Sequence, residues 1–256
     1  MRRLILAAAS LIGLAAGVAA LPANAAEETP APPKRSWSFD GMFGTYDRAA
    51  LQRGFQVYKE VCAACHSLKY VYYRNLTEIG LSVEQAKAVA ASVEVNGGLN
   101  DQGEPFTRPG TLADHFKAPY ANDKAARAAN GGALPPDQSL LVNAREGGAD
   151  YIFGILTGYQ GAPSGFALGE GMSYNKYFPG HQISMSQPIS DDRVTYADGT
   201  KATVEQMSAD VTTFLAWASN PELEQRKRMG IRIVLFLILM TGVTYAVKRK
   251  VWASVH

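Results

Sequence analysis

Two cysteines, Cys62 and Cys65, enclose a pair of alanines and are followed at once by His66. Two thiols and an imidazole in the order Cys62-Ala63-Ala64-Cys65-His66 could hold a metal ion, cycle as a dithiol, close a disulfide or anchor a porphyrin. A tetrahedral zinc site needs four ligands, and the other histidines, His115, His181 and His256, are scattered singly. A redox dithiol calls for a βαβ setting and no adjacent histidine. A disulfide across so small a loop would stabilise little. The chemistry left is c-type haem attachment. Residues three apart share one face of a helical turn, so both thiols reach the vinyl groups of one porphyrin. The next residue then sets its imidazole beneath the iron. One covalently bound haem c per chain, held by Cys62 and Cys65 with His66 as proximal ligand, is the expectation.

A second axial ligand on the opposite face would come from Met172, Met185, Met207, His115 or His181. Met207 lies in a helical pattern, where methionine usually fills a core. His181 reads as a surface histidine. Met172 and Met185 both sit in irregular loops, and Met185 is favoured because Ile183-Ser184-Met185-Ser186-Gln187-Pro188 is proline-bounded and able to wrap over a haem face. His/Met ligation suits a high-potential electron carrier.

These groups need elements to place them. Asp47 to Val61 has Leu51, Phe55 and Tyr58 on one face and reads as a helix delivering Cys62. Ser82 and Gln85 form a capping box opening a helix to about Val95. Residues 97–136, rich in Gly, Pro and Asn, are expected as loops over the haem. Short helices are expected at Asp137–Glu146 and Asp150–Leu156, a long loop at Gly161–Pro188, and a hairpin turn at Asp198-Gly199. Thr203 caps a last helix that carries Phe214 and Trp217 and ends at Asn220-Pro221. Gly54 and Phe55 against Phe214 and Trp217 point to the first and last helices crossing at a glycine, as cytochrome c-like folds do. The expected fold class is therefore mainly α, a cytochrome c-like haem domain with long loop insertions plus one C-terminal transmembrane helix.

The two ends say where such a domain would work. Arg2 and Arg3, an apolar run from Leu4 to Leu21 and Ala23-Asn24-Ala25 read as a secretory signal peptide over residues 1–25. Met229 to Val247 is broken only by Arg232 and flanked by Arg226-Lys227-Arg228 and Lys248-Arg249-Lys250, long enough to span a hydrocarbon core of roughly 30 Å. The expected organisation is a haem domain at 26–225, an anchor helix at 226–247 and a short tail at 248–256. A cleaved signal puts the domain in the bacterial periplasm, the anchor in the inner membrane as a single pass, and the tail in the cytoplasm. The formal charge of +2 conceals −7 over 26–225 and +7 over 226–256. An acidic domain with no basic stripe excludes a nucleic-acid partner, and fits a basic protein partner through complementary charge.

Longer stretches carry a family resemblance. Arg53-Gly54-Phe55-Gln56-Val57-Tyr58 leads into the haem motif, followed by Arg108-Pro109-Gly110, the run from Ala125 to Asp137, Tyr174-Asn175-Lys176-Tyr177-Phe178-Pro179-Gly180, Asp198-Gly199-Thr200 and Arg226-Lys227-Arg228-Met229-Gly230. Over nearly the whole mature chain the sequence resembles the cytochrome c1 family, the haem subunits of cytochrome bc1 complexes. The resemblance implies Met185 as the second axial ligand, and Arg145 and Tyr151 beside the haem propionates. It implies a redox subunit of a dimeric quinol–cytochrome c oxidoreductase, not a catalyst alone. That subunit would pack on cytochrome b, receive electrons from the Rieske iron–sulfur protein and pass them to a soluble cytochrome c. A free-standing anchored carrier feeding a terminal oxidase is the alternative. Some bacterial members carry an extra disulfide that two cysteines cannot supply here, so packing must hold the ligand loop.

Overall fold

A computed structural model of the chain describes residues 29–255, so the expected signal peptide lies outside the described residues. Six α-helices in this region are joined by long irregular segments: α1 Arg48–Glu60, α2 Val83–Ala91, α3 Asp123–Ala129, α4 Gly148–Thr157, α5 Val204–Ser219 and α6 Leu223–Val251. Two small antiparallel pairs complete it, β1 Glu94–Leu99 with β2 Pro105–Pro109, and β3 Ser173–Tyr174 with β4 Gln182–Ile183. The mainly helical class and the single long apolar C-terminal helix are as expected.

Helix α1 starts where Asp47 accepts from the backbone N–H groups of Ala49 and Ala50. Its buried stripe of Leu51, Phe55 and Tyr58 packs on α5, which is buried along nearly its whole length. The crossing is at Gly54: a Cβ there would run into the Asp210 carbonyl, and would lie 2.8 Å from Phe214 Cβ. The rings of Phe55 and Tyr58 pack on Phe214, with centroids 5.7 and 5.6 Å apart, and both also meet Phe116. Met207 is fully buried in α5 as core filler. One ion pair pins the same crossing. Asp210, 1% exposed, receives Arg53 Nε and Nη2 at 2.9 and 3.0 Å, while Arg53 Nη1 reaches Asp198 at 2.9 Å.

Four local expectations differ from the structure. Helix α2 opens with the Ser82–Gln85 capping box but ends at Ala91, because Ser92 folds back with its Oγ on the Val89 carbonyl at 2.7 Å. The residues beyond it, with Gly97 and Gly98, pair with Pro105–Pro109 as a bulged hairpin. Residues 137–146 form successive turns rather than a helix, because the Asp137 carboxylate binds Ser67 Oγ and the Lys69 and Ser139 amides instead of capping. Asp198-Gly199 is a turn with Gly199 at φ +76°, but no strands flank it. His181 is buried at φ +58°, not on the surface, and stacks on Tyr174 with centroids 5.5 Å apart.

Helix α6 is half-buried at intervals as far as Ile231 and exposed beyond it and, at 29 residues, extends about 43 Å at 1.5 Å per residue. It exceeds the expected 226–247 because Pro221 lets a new helix begin at once and because the basic residues at both ends stay helical. Only Asn220, Pro221 and Glu222 separate it from α5. That junction is tied down. Asn143 and Asn220 exchange amide hydrogen bonds at 3.2 and 2.8 Å. Glu224 holds the Tyr46 amide and Arg48, each at 2.9 Å. Lys227 Nζ donates to the carbonyls of Phe39 and Gly44 at 2.6 and 3.1 Å.

Candidate haem site

Below the α1–α5 crossing lies a cavity of about 1190 Å³, larger than the roughly 300–1,000 Å³ of most small-molecule sites. Helix α1 is capped by Val61, and Cys62–Ala64 continues as a 3₁₀ turn in which the amides of Cys65 and His66 both bond to the Cys62 carbonyl, at 3.1 and 2.9 Å. This turn sets both cysteines and His66 on the cavity wall. Burial, with Cys65 adding to it, pushes the Cys62 thiol up to about 12.

The imidazole of His66 is oriented by a carbonyl. Its Nδ1 lies 2.8 Å from Pro136 O, and since a carbonyl can only accept, Nδ1 carries the proton and Nε2 is left with a free lone pair. Burial lowers the pKa of His66, favouring the neutral ring, against an opposing pull from the Pro136 bond and Asp137. Pro136 is held in turn by its neighbour. Burial raises Asp137, but hydrogen bonds from Lys69 N, Ser67 Oγ and Ser139 N outweigh it and keep the carboxyl below its ordinary value. An ionised Asp137 thus ties the Pro135-Pro136 loop to the segment just after the haem motif.

The other wall comes from α4, α5 and the loop carrying Met185. Ile152, Ile155 and Leu156 of α4 and Val211 and Leu215 of α5 supply an apolar surface, closed by Ile183, Met185, Pro188 and Ile189. Tyr159 Oη donates to the Met185 carbonyl at 3.0 Å, fastening this loop to the end of α4. Arg145 and Tyr151 also line the cavity. Burial raises the Tyr151 hydroxyl, with Arg145 pulling the other way.

All six residues singled out from the sequence, Cys62, Cys65, His66, Met185, Arg145 and Tyr151, therefore meet on one cavity. The rival ligands do not line it: Met172 accepts from Ser184 Oγ at 3.3 Å, His115 packs on Tyr72, and His181 and Met207 are buried elsewhere. Of the 97–136 segment, only Ala129 onward reaches the cavity. Asp137, Tyr159, Gln138 and a second cation, Arg193, were not anticipated, because their contacts join parts of the chain far apart in sequence. The buried Oε1 of Gln138 has no hydrogen-bond partner among the described residues. An apolar cleft with two thiols and an imidazole on one wall, a thioether on another and two guanidinium groups fits a flat porphyrin bearing carboxylates.

A helical domain built round such a cleft and carried on a long exposed apolar helix has the build of a membrane-anchored c-type cytochrome. Residues 37–255 match the Cytochrome C1 family, and the chain belongs to it. The cytochrome c1 of Rhodospirillum rubrum is 49% identical over 238 residues, covering 87% of this chain and 88% of that protein. The cytochrome b-c1 complex catalytic subunit of Candida albicans mitochondria is also 49% identical, over 91% of this chain and 81% of its own length. The cytochrome b/c1 of Bradyrhizobium diazoefficiens is 49% identical over 91% of this chain, which spans 37% of that longer protein. Family membership implies covalently bound haem c.

Proposed function

We propose that the chain is the electron-transfer subunit of a cytochrome bc1 complex, taking electrons from a Rieske iron–sulfur protein and giving them to a soluble cytochrome c. The observation that carries this reading is the convergence of Cys62, Cys65, His66 and Met185 on one cavity in a chain of this family. Bound there, a single haem c supplies a one-electron iron couple. The Cys62 and Cys65 thiols would make the thioether links, and His66 Nε2 and Met185 Sδ would hold the iron. Arg145 and Arg193 would offset the charge of the propionates, with Tyr151 as a further hydrogen-bonding group. The domain at 26–225 lies in the periplasm, α6 crosses the bacterial inner membrane against cytochrome b, and the complex is dimeric. The acidic domain steers a basic cytochrome c, an attraction weakened by salt.

A reduced-minus-oxidised spectrum of the chain, purified in mild detergent, tests this. We expect a quinol-reducible c-type signal together with co-purifying b-type haem. A lone c-type signal in several gentle detergents would favour the free-standing anchored carrier. A subtler expectation concerns Tyr159. Removing its hydroxyl in Tyr159→Phe loosens the Met185 loop by about 1 kcal/mol, or roughly fivefold, because one hydrogen bond is lost. Added imidazole should then displace Met185 about fivefold more readily. Equal displacement in both proteins would show that apolar packing alone holds the loop.

A further inference from the structure

The turn Gly41-Met42-Phe43-Gly44 carries two of the most solvent-exposed large apolar side chains of the soluble part, Met42 at 66% and Phe43 at 79%. Gly41 takes φ +68°, and a Cβ on Gly44 would collide with the Asp40 carbonyl, so the backbone is bent to hold both side chains outward. Exposing both in water brings no gain, since single apolar residues cost little but an adjacent pair on a tight turn forms a patch. The position of this patch is fixed by α6. Lys227 bonds the carbonyls of Phe39 and Gly44, the two feet of the turn, and Glu224 bonds the next segment through Tyr46 N and Arg48. Lys227 precedes Met229, where the apolar stretch of α6 begins, by two residues, or about 3 Å along the helix axis. The feet are therefore level with the start of the membrane-spanning segment. Three residues of chain at up to about 3.5 Å each give Met42 and Phe43 a reach of about 10 Å from those feet, enough to meet a headgroup layer at that level.

We infer that the Gly41–Gly44 turn is a membrane-docking wedge, with Met42 and Phe43 seated at the boundary between lipid headgroups and acyl chains. The inference rests on the reading of α6 as a membrane span. A lipid surface is favoured over a soluble partner because Lys227 ties both feet of the turn to the start of α6, whose apolar side chains from Ile233 to Leu239 are all at least half exposed. Arg226 and Arg228 flank it with positive charge suited to anionic headgroups. The seated residues act as a second point of attachment beside the helix.

The test places a nitroxide label on Phe43→Cys in the full haem-loaded chain, with whatever subunits co-purify, in phosphatidylcholine–phosphatidylglycerol vesicles. Labels at Leu235→Cys in α6 and Asp101→Cys at the β1–β2 hairpin tip are the references. Collision with oxygen should exceed collision with a water-soluble nickel chelate severalfold more at position 43 than at 101, in the same sense as at 235. A position 43 as open to nickel as 101, with 235 protected, overturns the wedge and leaves the membrane span intact. Nickel access at 235 overturns the span itself. A label at 43 shielded from both reagents and immobilised assigns the turn to a protein neighbour and also overturns the lipid reading.

Discussion

Met185→Leu should lower the reduction potential on the order of 0.2 V, a quarter of the roughly 0.8 V that axial ligation spans. Leucine matches methionine closely in volume, so the apolar wall of Ile183, Pro188 and Ile189 stays filled, and the change isolates the loss of the thioether sulfur. Sulfur opposite an imidazole favours the reduced iron, and without it the oxidised form gains. At 59 mV per decade for one electron, the fall shifts the electron-sharing equilibrium with any fixed partner by more than three decades, enough to stop useful transfer to a high-potential acceptor. Potentiometric titration measures the shift, and the sulfur–iron charge-transfer band should vanish with it. Met172→Leu is the matched control, since Met172 does not line the cavity and should leave both readings in place. An unaltered potential and band in Met185→Leu would remove Met185 as a ligand.

Gly54→Ala should be a severely damaging single-methyl change at the α1–α5 crossing. The added Cβ meets the Asp210 carbonyl and lies 2.8 Å from Phe214 Cβ, and a backbone carbonyl cannot swing aside as a side-chain tip can. The two helices must separate, loosening the ring cluster round Phe214 and lengthening the bonds between Arg53 and Asp210. Overpacking of this kind costs about 3 kcal/mol or more. In a domain of this size that is a fall of roughly 6–12 °C in Tm, measured by circular dichroism on the haem-loaded protein. A change under about 2 °C would mean that the α1–α5 contact yields without resistance.

What could be read in advance depended on how local each determinant was. The haem motif, the Asp47, Ser82 and Thr203 caps and the burial of Met207 are written in residues within a turn of one another, and each has the structure it implies. The crossing at Gly54 was legible because a glycine beside Phe55 on an apolar helix face marks where a second backbone comes close. Asp137 misled, since an aspartate ahead of Gln138 and Ser139 looks like a helix cap until Ser67 and Lys69 arrive from across the fold to claim it. His181 misled for a similar reason: its burial depends on Tyr174, brought alongside by the β3–β4 pair. Spacing alone left Arg145 and Tyr151 as an ordinary charge and an ordinary aromatic. Family resemblance singled them out, and the structure sets them on the same cavity as His66.

The three-residue junction between α5 and α6, clamped by Asn143, Glu224 and Lys227, leaves no hinge between the cavity and the anchor. On the reading of α6 as a membrane span, the domain would stand on its helix like a post set in concrete, with the height and bearing of the cavity above the bilayer held constant. Under the proposed function this subunit would then not shuttle between distant donor and acceptor sites, and travel over that distance would fall to its redox partners.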